Sequence, residues 1–163
     1  MNYLISDEHY FHTKILGYTN RNFEDIGTMK YELMKRHNEI VTDKDTTYHL
    51  GDFAFTENWK EVASILKRLK GNHVLILGNH DFIYVPHYVE AGFQSVHTSL
   101  QLDGFTLIHD PAVAGVLTDG KYIHGHLHQM GLRIAPNCYN VSVEMHDYYP
   151  VSLEQIKFEW NQQ

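Results

Sequence analysis

Five short clusters in this chain gather the side chains that hold divalent metals or move protons. They are Asp7-Glu8-His9, Gly51-Asp52, Gly78-Asn79-His80-Asp81, His109-Asp110 and Gly125-His126-Leu127-His128. Carboxylate, amide oxygen and imidazole together suit hard to borderline divalent cations. No thiolate belongs to the set. Cys138 is the single cysteine, which excludes an internal disulfide and a cysteine-based zinc cluster. An imidazole-rich set favours manganese, with iron, zinc, nickel or cobalt as alternatives, over magnesium alone, which prefers oxygen and keeps its waters. Two such ions held roughly 3.5–4 Å apart can clamp a phosphoryl group together with the oxygen that attacks it. A carboxylate shared between them would offset their mutual repulsion.

Each cluster follows a segment that reads as a strand. Tyr3 to Ser6 leads into Asp7, Thr46 to Leu50 into Gly51-Asp52, and the apolar run Val74 to Leu77 into Gly78. Leu100–Leu102 and Phe105–Ile108 flank Asp103-Gly104, a type I′ hairpin signal. The second of these strands ends at His109, and Lys121 to His124 ends at Gly125. Ligand sites in α/β folds collect at strand ends. On an extended backbone, the spacing of two in Asp7-x-His9 and His126-x-His128 would point both side chains one way. Glycines before Asp52, Asn79 and His126 would permit tight turns there.

The elements between are helical early and strand-rich late. Met29, Leu33, His37, Ile40 and Val41 share one face of a helix expected over Thr28 to Val41. Trp59, Val62, Ala63, Leu66 and Leu69 mark a second helix, with Gly71 as its expected C-cap. Tyr139 to Met145 reads as extended, and Ser152-Leu153-Glu154-Gln155 has the spacing of a capping box. The pattern predicts an α/β sandwich with two mixed sheets.

The 163 residues fit one domain, 1–163, with no linker composition and no repeat. Thirteen basic against twenty acidic residues leave a net charge of −7. That disfavours a surface that tracks long nucleic acid and leaves a small phosphorylated substrate as the expected partner. No apolar run is long enough to span a membrane, and no basic-then-apolar leader opens the chain, so the cytoplasm is the expected compartment.

The ordered set D-x-H, G-D, G-N-H-D, H and G-H-x-H resembles the motifs of the calcineurin-like metallophosphoesterases. Phe53-Ala54-Phe55 and the tail from Asn140 to Ile156 resemble a compact bacterial and phage branch of that superfamily. The resemblance implies a four-layer αββα sandwich and a dinuclear centre. It implies that Asp7, His9 and His128 hold one ion, that Asn79, His109 and His126 hold the other, and that Asp52 bridges them. If so, the backbone must bend between His126 and His128. It further implies hydrolysis of phosphate esters by a hydroxide bridging the ions, with His80 assisting the leaving oxygen. The full G-H-x-H set favours diesters over monoesters by the same resemblance.

His12 and Arg21 are candidates for substrate contacts, the arginine because it could clamp phosphate oxygens bidentately. Asp81 and Asp110 could support ligands from behind. His37, His73, His87, His97 and His146 are expected to be structural, and His49 and His124 to pack behind the motifs. Two other readings use the same residues: a nuclease acting on DNA or RNA, and a catalytically silent metal-binding scaffold. Loss of His80 or of several ligands would favour the scaffold, and none is lost here.

Overall fold

The computed structural model describes residues 1–112 and 120–162. The first sheet has the order β4-β3-β2-β1-β9, from β1 (Asn2–Ile5), β2 (Thr46–His49), β3 (Asn72–Ile76), β4 (Ser95–His97) and β9 (Val151–Ser152). Its neighbours run parallel except β9, which is antiparallel to β1. The second sheet has the order β5-β6-β7-β8, from β5 (Leu100–Leu102), β6 (Phe105–Leu107), β7 (Lys121–His124) and β8 (Cys138–Asn140). Here β5 and β6 form an antiparallel hairpin and the rest is parallel. Asp103 and Gly104 both have positive φ, 48° and 83°, as a type I′ turn requires.

Strand alternation divides the core in two. Ile5 and Leu75 face helices α1 (Ile15–Tyr18), α2 (Ile26–Ile40), α3 (Trp59–Leu66) and α4 (Val85–Ala91), where they join Ile15, Met29, Leu33, Val62, Leu66 and Tyr88. Their neighbours Leu4, Val74 and Ile76 face the other way and meet Phe105, Leu107, Ile123 and Tyr139 of the second sheet. Leu153 and Ile156 of α5 (Leu153–Trp160) join this second core, and Trp160 stands edge-on to Phe105 at 5.1 Å. The expected α/β sandwich of two mixed sheets is the fold that forms. Among the described residues, no helix is long and apolar enough to cross a membrane.

In α2, Met34 is buried where Ile40 was expected. Gly71 does not cap α3, which closes on Lys67 four residues earlier. Gly71 instead has φ 93° in the turn before β3, where a Cβ would press on the Asp45 carbonyl at 2.9 Å. The segment after β8 leaves the sheet and closes into a 3-10 turn at Val143–Met145. Ser152 caps α5 by accepting from the Gln155 N–H at 3.1 Å, but the Gln155 side chain reaches forward to Glu159, so the box is half made.

Candidate metal centre

The five clusters meet where β1, β2, β3, β6 and β7 end. The backbone that aims them is left-handed rather than extended. Asp7 (φ 62°), His9 (φ 53°), Asp52 (φ 56°), His126 (φ 69°) and His128 (φ 45°) all have positive φ. Such conformations are uncommon outside glycine and cost about 1–3 kcal/mol each, so they persist only where the surroundings hold them. Three hydrogen bonds zip the first two loops together. Asp7 N–H donates to the Gly51 carbonyl (3.0 Å), His9 N–H to Asp52 (2.9 Å) and Tyr10 N–H to Phe53 (3.0 Å). The spacing-of-two expectation therefore fails in its mechanism, because alternating side chains on a strand do not produce the convergence. The glycines also act differently from one another. Gly51 (φ 93°) makes a tight turn, whereas Gly78 and Gly125 do not have positive φ. They serve close approach: a Cβ on Gly78 would strike the Asp52 carboxylate, and one on Gly125 would strike Ser6 Oγ.

Among the described residues, two groups of potential ligands result. Asp7, His9 and His128 bring one ligand atom each within 4.8 Å of one another, and Asp52, His109 and His126 do the same. Asp52 faces both, with Oδ2 at 3.5 Å from His9 Nε2 and Oδ1 at 3.5 Å from His109 Nε2. His109 Nδ1 donates to the Leu50 carbonyl at 2.7 Å, which leaves a lone pair on Nε2. That nitrogen lies 3.1 Å from Asn79 Oδ1. Two acceptors face each other there, an arrangement that a cation between them satisfies.

The donor atoms fit metal ions on a second count. Asp7 Oδ1 and His9 Nε2 are buried and have no hydrogen-bond partner among the described residues. Buried polar atoms are normally paired, so orphans at the point of convergence mark a place for a cation. The other Asp7 oxygen is fully engaged: Oδ2 accepts from His126 N–H (2.9 Å) and Ser142 Oγ (2.8 Å), which turns Oδ1 toward the centre.

This geometry can be set beside known proteins. The chain is 38% identical to the uncharacterized protein MJ1445 of Methanocaldococcus jannaschii over 164 residues, covering 94% of this chain and 88% of that one. It belongs to the MJ1445 family. A solved structure of a protein of unknown function, AQ665 from Aquifex aeolicus, superposes with a TM-score of 0.75 at 27% identity and 98% coverage of both chains. The nuclease MPE of Pseudomonas putida is similar in fold, with a TM-score of 0.54 at 23% identity over 78% of this chain and 61% of that one. No family model matches the chain.

In this MJ1445-family chain the supporting residues come from unexpected places. Glu144, on the 3-10 turn, accepts from His128 Nδ1 at 2.9 Å through Oε1. The same oxygen takes two hydrogen bonds from Arg21, from Nε (3.0 Å) and Nη2 (2.7 Å). Arg21 is a correction to the sequence reading. Its side chain is fully buried and its remaining donors go to the Asp7 and Glu8 carbonyls and to Met29 Sδ, so it braces the Asp7 loop and has nothing left for a substrate. Asp81 also looks inward, where its carboxylate accepts from Gly78, Asp52 and Phe53 N–H and ties the second and third clusters together. Glu8 engages His49 Nδ1, and His49 Nε2 lies 3.1 Å from His73 Nδ1, forming a buried polar chain behind the centre. Asp110 lies 3.7 Å from His126 Nε2.

Electrostatics follow from burial. Burial pushes Asp52 up to about 7, as does the neighbouring Asp7 carboxylate, against the His80 N–H that lowers it. Asp81 is likewise raised by burial to about 7. Burial lowers His9, and the nearby Arg21 adds to this. Burial opposes charge on His128 too, but the Glu144 hydrogen bond and the Asp7 carboxylate outweigh it and raise its pKa. His80 is lowered, chiefly by burial. Its backbone N–H donates to Asp52 Oδ1 at 2.8 Å, its ring centroid lies 5.6 Å from that of His9, and Nδ1 is buried without a partner. His12 stands on the same side, with Nδ1 3.2 Å from His9 Nδ1 and its ring stacked on Phe55 at 4.3 Å.

Glu144 was missed in the sequence because it sits in no motif. A glutamate in a segment already read as a strand carries no chemical signal until the turn brings it under His128.

Proposed function

We propose that this protein is a dinuclear metal-dependent phosphoesterase acting on small phosphodiesters. The observation that carries the reading is Asp52, whose two carboxylate oxygens face the two histidine groups separately. In this reading Asp7, His9 and His128 hold one divalent ion, Asn79, His109 and His126 hold the other, and Asp52 is shared. Divalent ions held by these residues would supply charge neutralisation at a phosphoryl group and would lower the pKa of bound water.

The chain's own residues do the rest. Arg21 and Glu144 keep the His128 ring in one orientation, and Asp81 locks the loops that carry Asp52 and Asn79. His80 lies outside both groups, and its pKa is lowered, chiefly by burial. It is placed to give a proton, or a hydrogen bond, to the oxygen of the departing alcohol. Diesters are favoured because cavities open on two sides of the centre. One of about 570 Å³ borders Asn79, His109 and His126, and one of about 610 Å³ borders His9, His80 and His128. A diester has two substituents to place, and a monoester has one. The fold likeness to nuclease MPE makes nucleic acid strands a second substrate to assay. The net charge of −7 argues for the smaller diesters.

The test is elemental analysis of the purified protein together with turnover of bis(p-nitrophenyl) phosphate and p-nitrophenyl phosphate after loading with manganese. The expected result is close to two ions per chain, faster turnover of the diester, and loss of both metal and activity in Asp52→Asn. Failure to bind any transition metal after reconstitution would sink the reading, and faster turnover of the monoester would overturn the diester preference.

A further inference from the structure

The cavity of about 610 Å³ beside the first ligand group is walled largely by rings, among them Phe11, His12, Tyr18 and Phe55. Its size lies within the roughly 300–1,000 Å³ typical of small-molecule sites. The rings form a continuous surface. His12 stacks on Phe55 with 16° between planes, Tyr18 meets His12 edge-on at 6.0 Å, and Phe82 meets Phe55 edge-on at 5.5 Å. The surface is offered to solvent rather than consumed in the core: Tyr18 is 70% exposed, Phe82 52% and Phe55 39%. Exposed aromatic rings cost hydration and are retained most readily where something stacks on them. Thr13, Lys14 and Thr19 border the same cavity, and of these Thr19 Oγ1 is committed to the Ile15 carbonyl at 3.0 Å, which leaves Thr13 and Lys14 as its exposed polar edge.

We infer that this cavity is a leaving-group subsite for a nucleobase, so that the substrate is a nucleotide diester whose departing nucleoside lies on Phe55 and Tyr18. The inference rests on the phosphodiesterase reading and narrows it. His80 lines the cavity, so the alcohol it assists departs into this aromatic surface. A heteroaromatic plane matches both parts of the lining. Its face stacks on the rings, and its edge meets Thr13 and Lys14. Every base has a π-face, so stacking alone recognises the class without choosing among bases. An alkyl chain offers neither a π-face to the rings nor a polar edge to Thr13 and Lys14.

The manganese-loaded protein is titrated calorimetrically with adenosine 5′-monophosphate, ribose 5-phosphate and octyl phosphate, in the wild type and in Phe55→Leu, Phe55→Trp and Tyr18→Ala. The base should tighten binding of the nucleotide over the sugar phosphate by roughly 5- to 150-fold, the range that base stacking supplies. Phe55→Leu and Tyr18→Ala should reduce that ratio, and Phe55→Trp should preserve it. Ribose 5-phosphate should bind all four proteins alike, which also shows that the variants fold. Equal binding of nucleotide and sugar phosphate by the wild type would overturn the subsite and leave the phosphoesterase reading standing. Octyl phosphate binding as tightly as the nucleotide would overturn the base preference. Binding of none of the three probes would overturn both.

Discussion

Glu144 Oε1 lies 2.9 Å from His128 Nδ1 and 2.7 Å from Arg21 Nη2. The carboxylate thus joins a buried guanidinium to a predicted metal ligand and fixes which imidazole nitrogen faces the centre. Carboxylates behind ligating histidines typically contribute 10–100-fold in metal affinity. Glu144→Gln should weaken manganese binding by about that factor in a chelator competition, with the fold retained. Unchanged affinity would remove Glu144 from the supporting set.

His80 should separate chemistry from metal binding. His80→Ala is expected to keep its metal content while turnover falls by about 10²–10⁴, the usual worth of a general acid. The fall should be steeper for a diester with an alkyl leaving group than for bis(p-nitrophenyl) phosphate, because p-nitrophenolate needs little help to depart. An equal loss on both substrates would contradict a role at the leaving oxygen.

Asp81 answers to stability first. Its carboxylate accepts three backbone N–H groups from two loops. In Asp81→Asn an NH₂ group replaces one acceptor and faces donors. The metal-free variant should lose about 1–3 kcal/mol, the cost of leaving buried donors unpaired, read from urea midpoints. A midpoint within error of the wild type would show that the loops do not depend on this tie.

Away from the centre, His37 predicts a pH effect. Burial holds it down to about 4, and its Nε2 lies 3.0 Å from the Lys70 carbonyl. An unfolded histidine titrates near 6.5. Its contribution is therefore complete above about pH 6.5 and is lost as the pH falls toward 4, because the unfolded chain gains a proton that the native chain refuses. His37→Gln keeps a donor and lacks this titration. Between pH 7.5 and 5, stability of the wild type should fall relative to the variant by about 2 kcal/mol. Parallel pH–stability curves would show that His37 is protonated in the native state.

Much of this protein could be read before any coordinates. The five clusters, the strands before them, the Asp103-Gly104 hairpin and the two-sheet sandwich depend on local matters. Those are apolar runs, turn-forming residues and donor types in order along the chain. Tertiary structure decided what depends on contacts between distant segments. Asp7 and His9 hold left-handed backbone because the Gly51–Phe53 loop accepts their N–H groups, and alternation along a strand could not have shown that. Gly125 is required because Ser6, more than a hundred residues away, lies against it. Arg21 turns inward because Glu144, two loop carbonyls and Met29 Sδ take its donors. Residue types and spacing can specify which groups are able to bind a metal. Only packing decides which lone pairs remain unpartnered, and in this protein two of them, on Asp7 and His9, mark the centre.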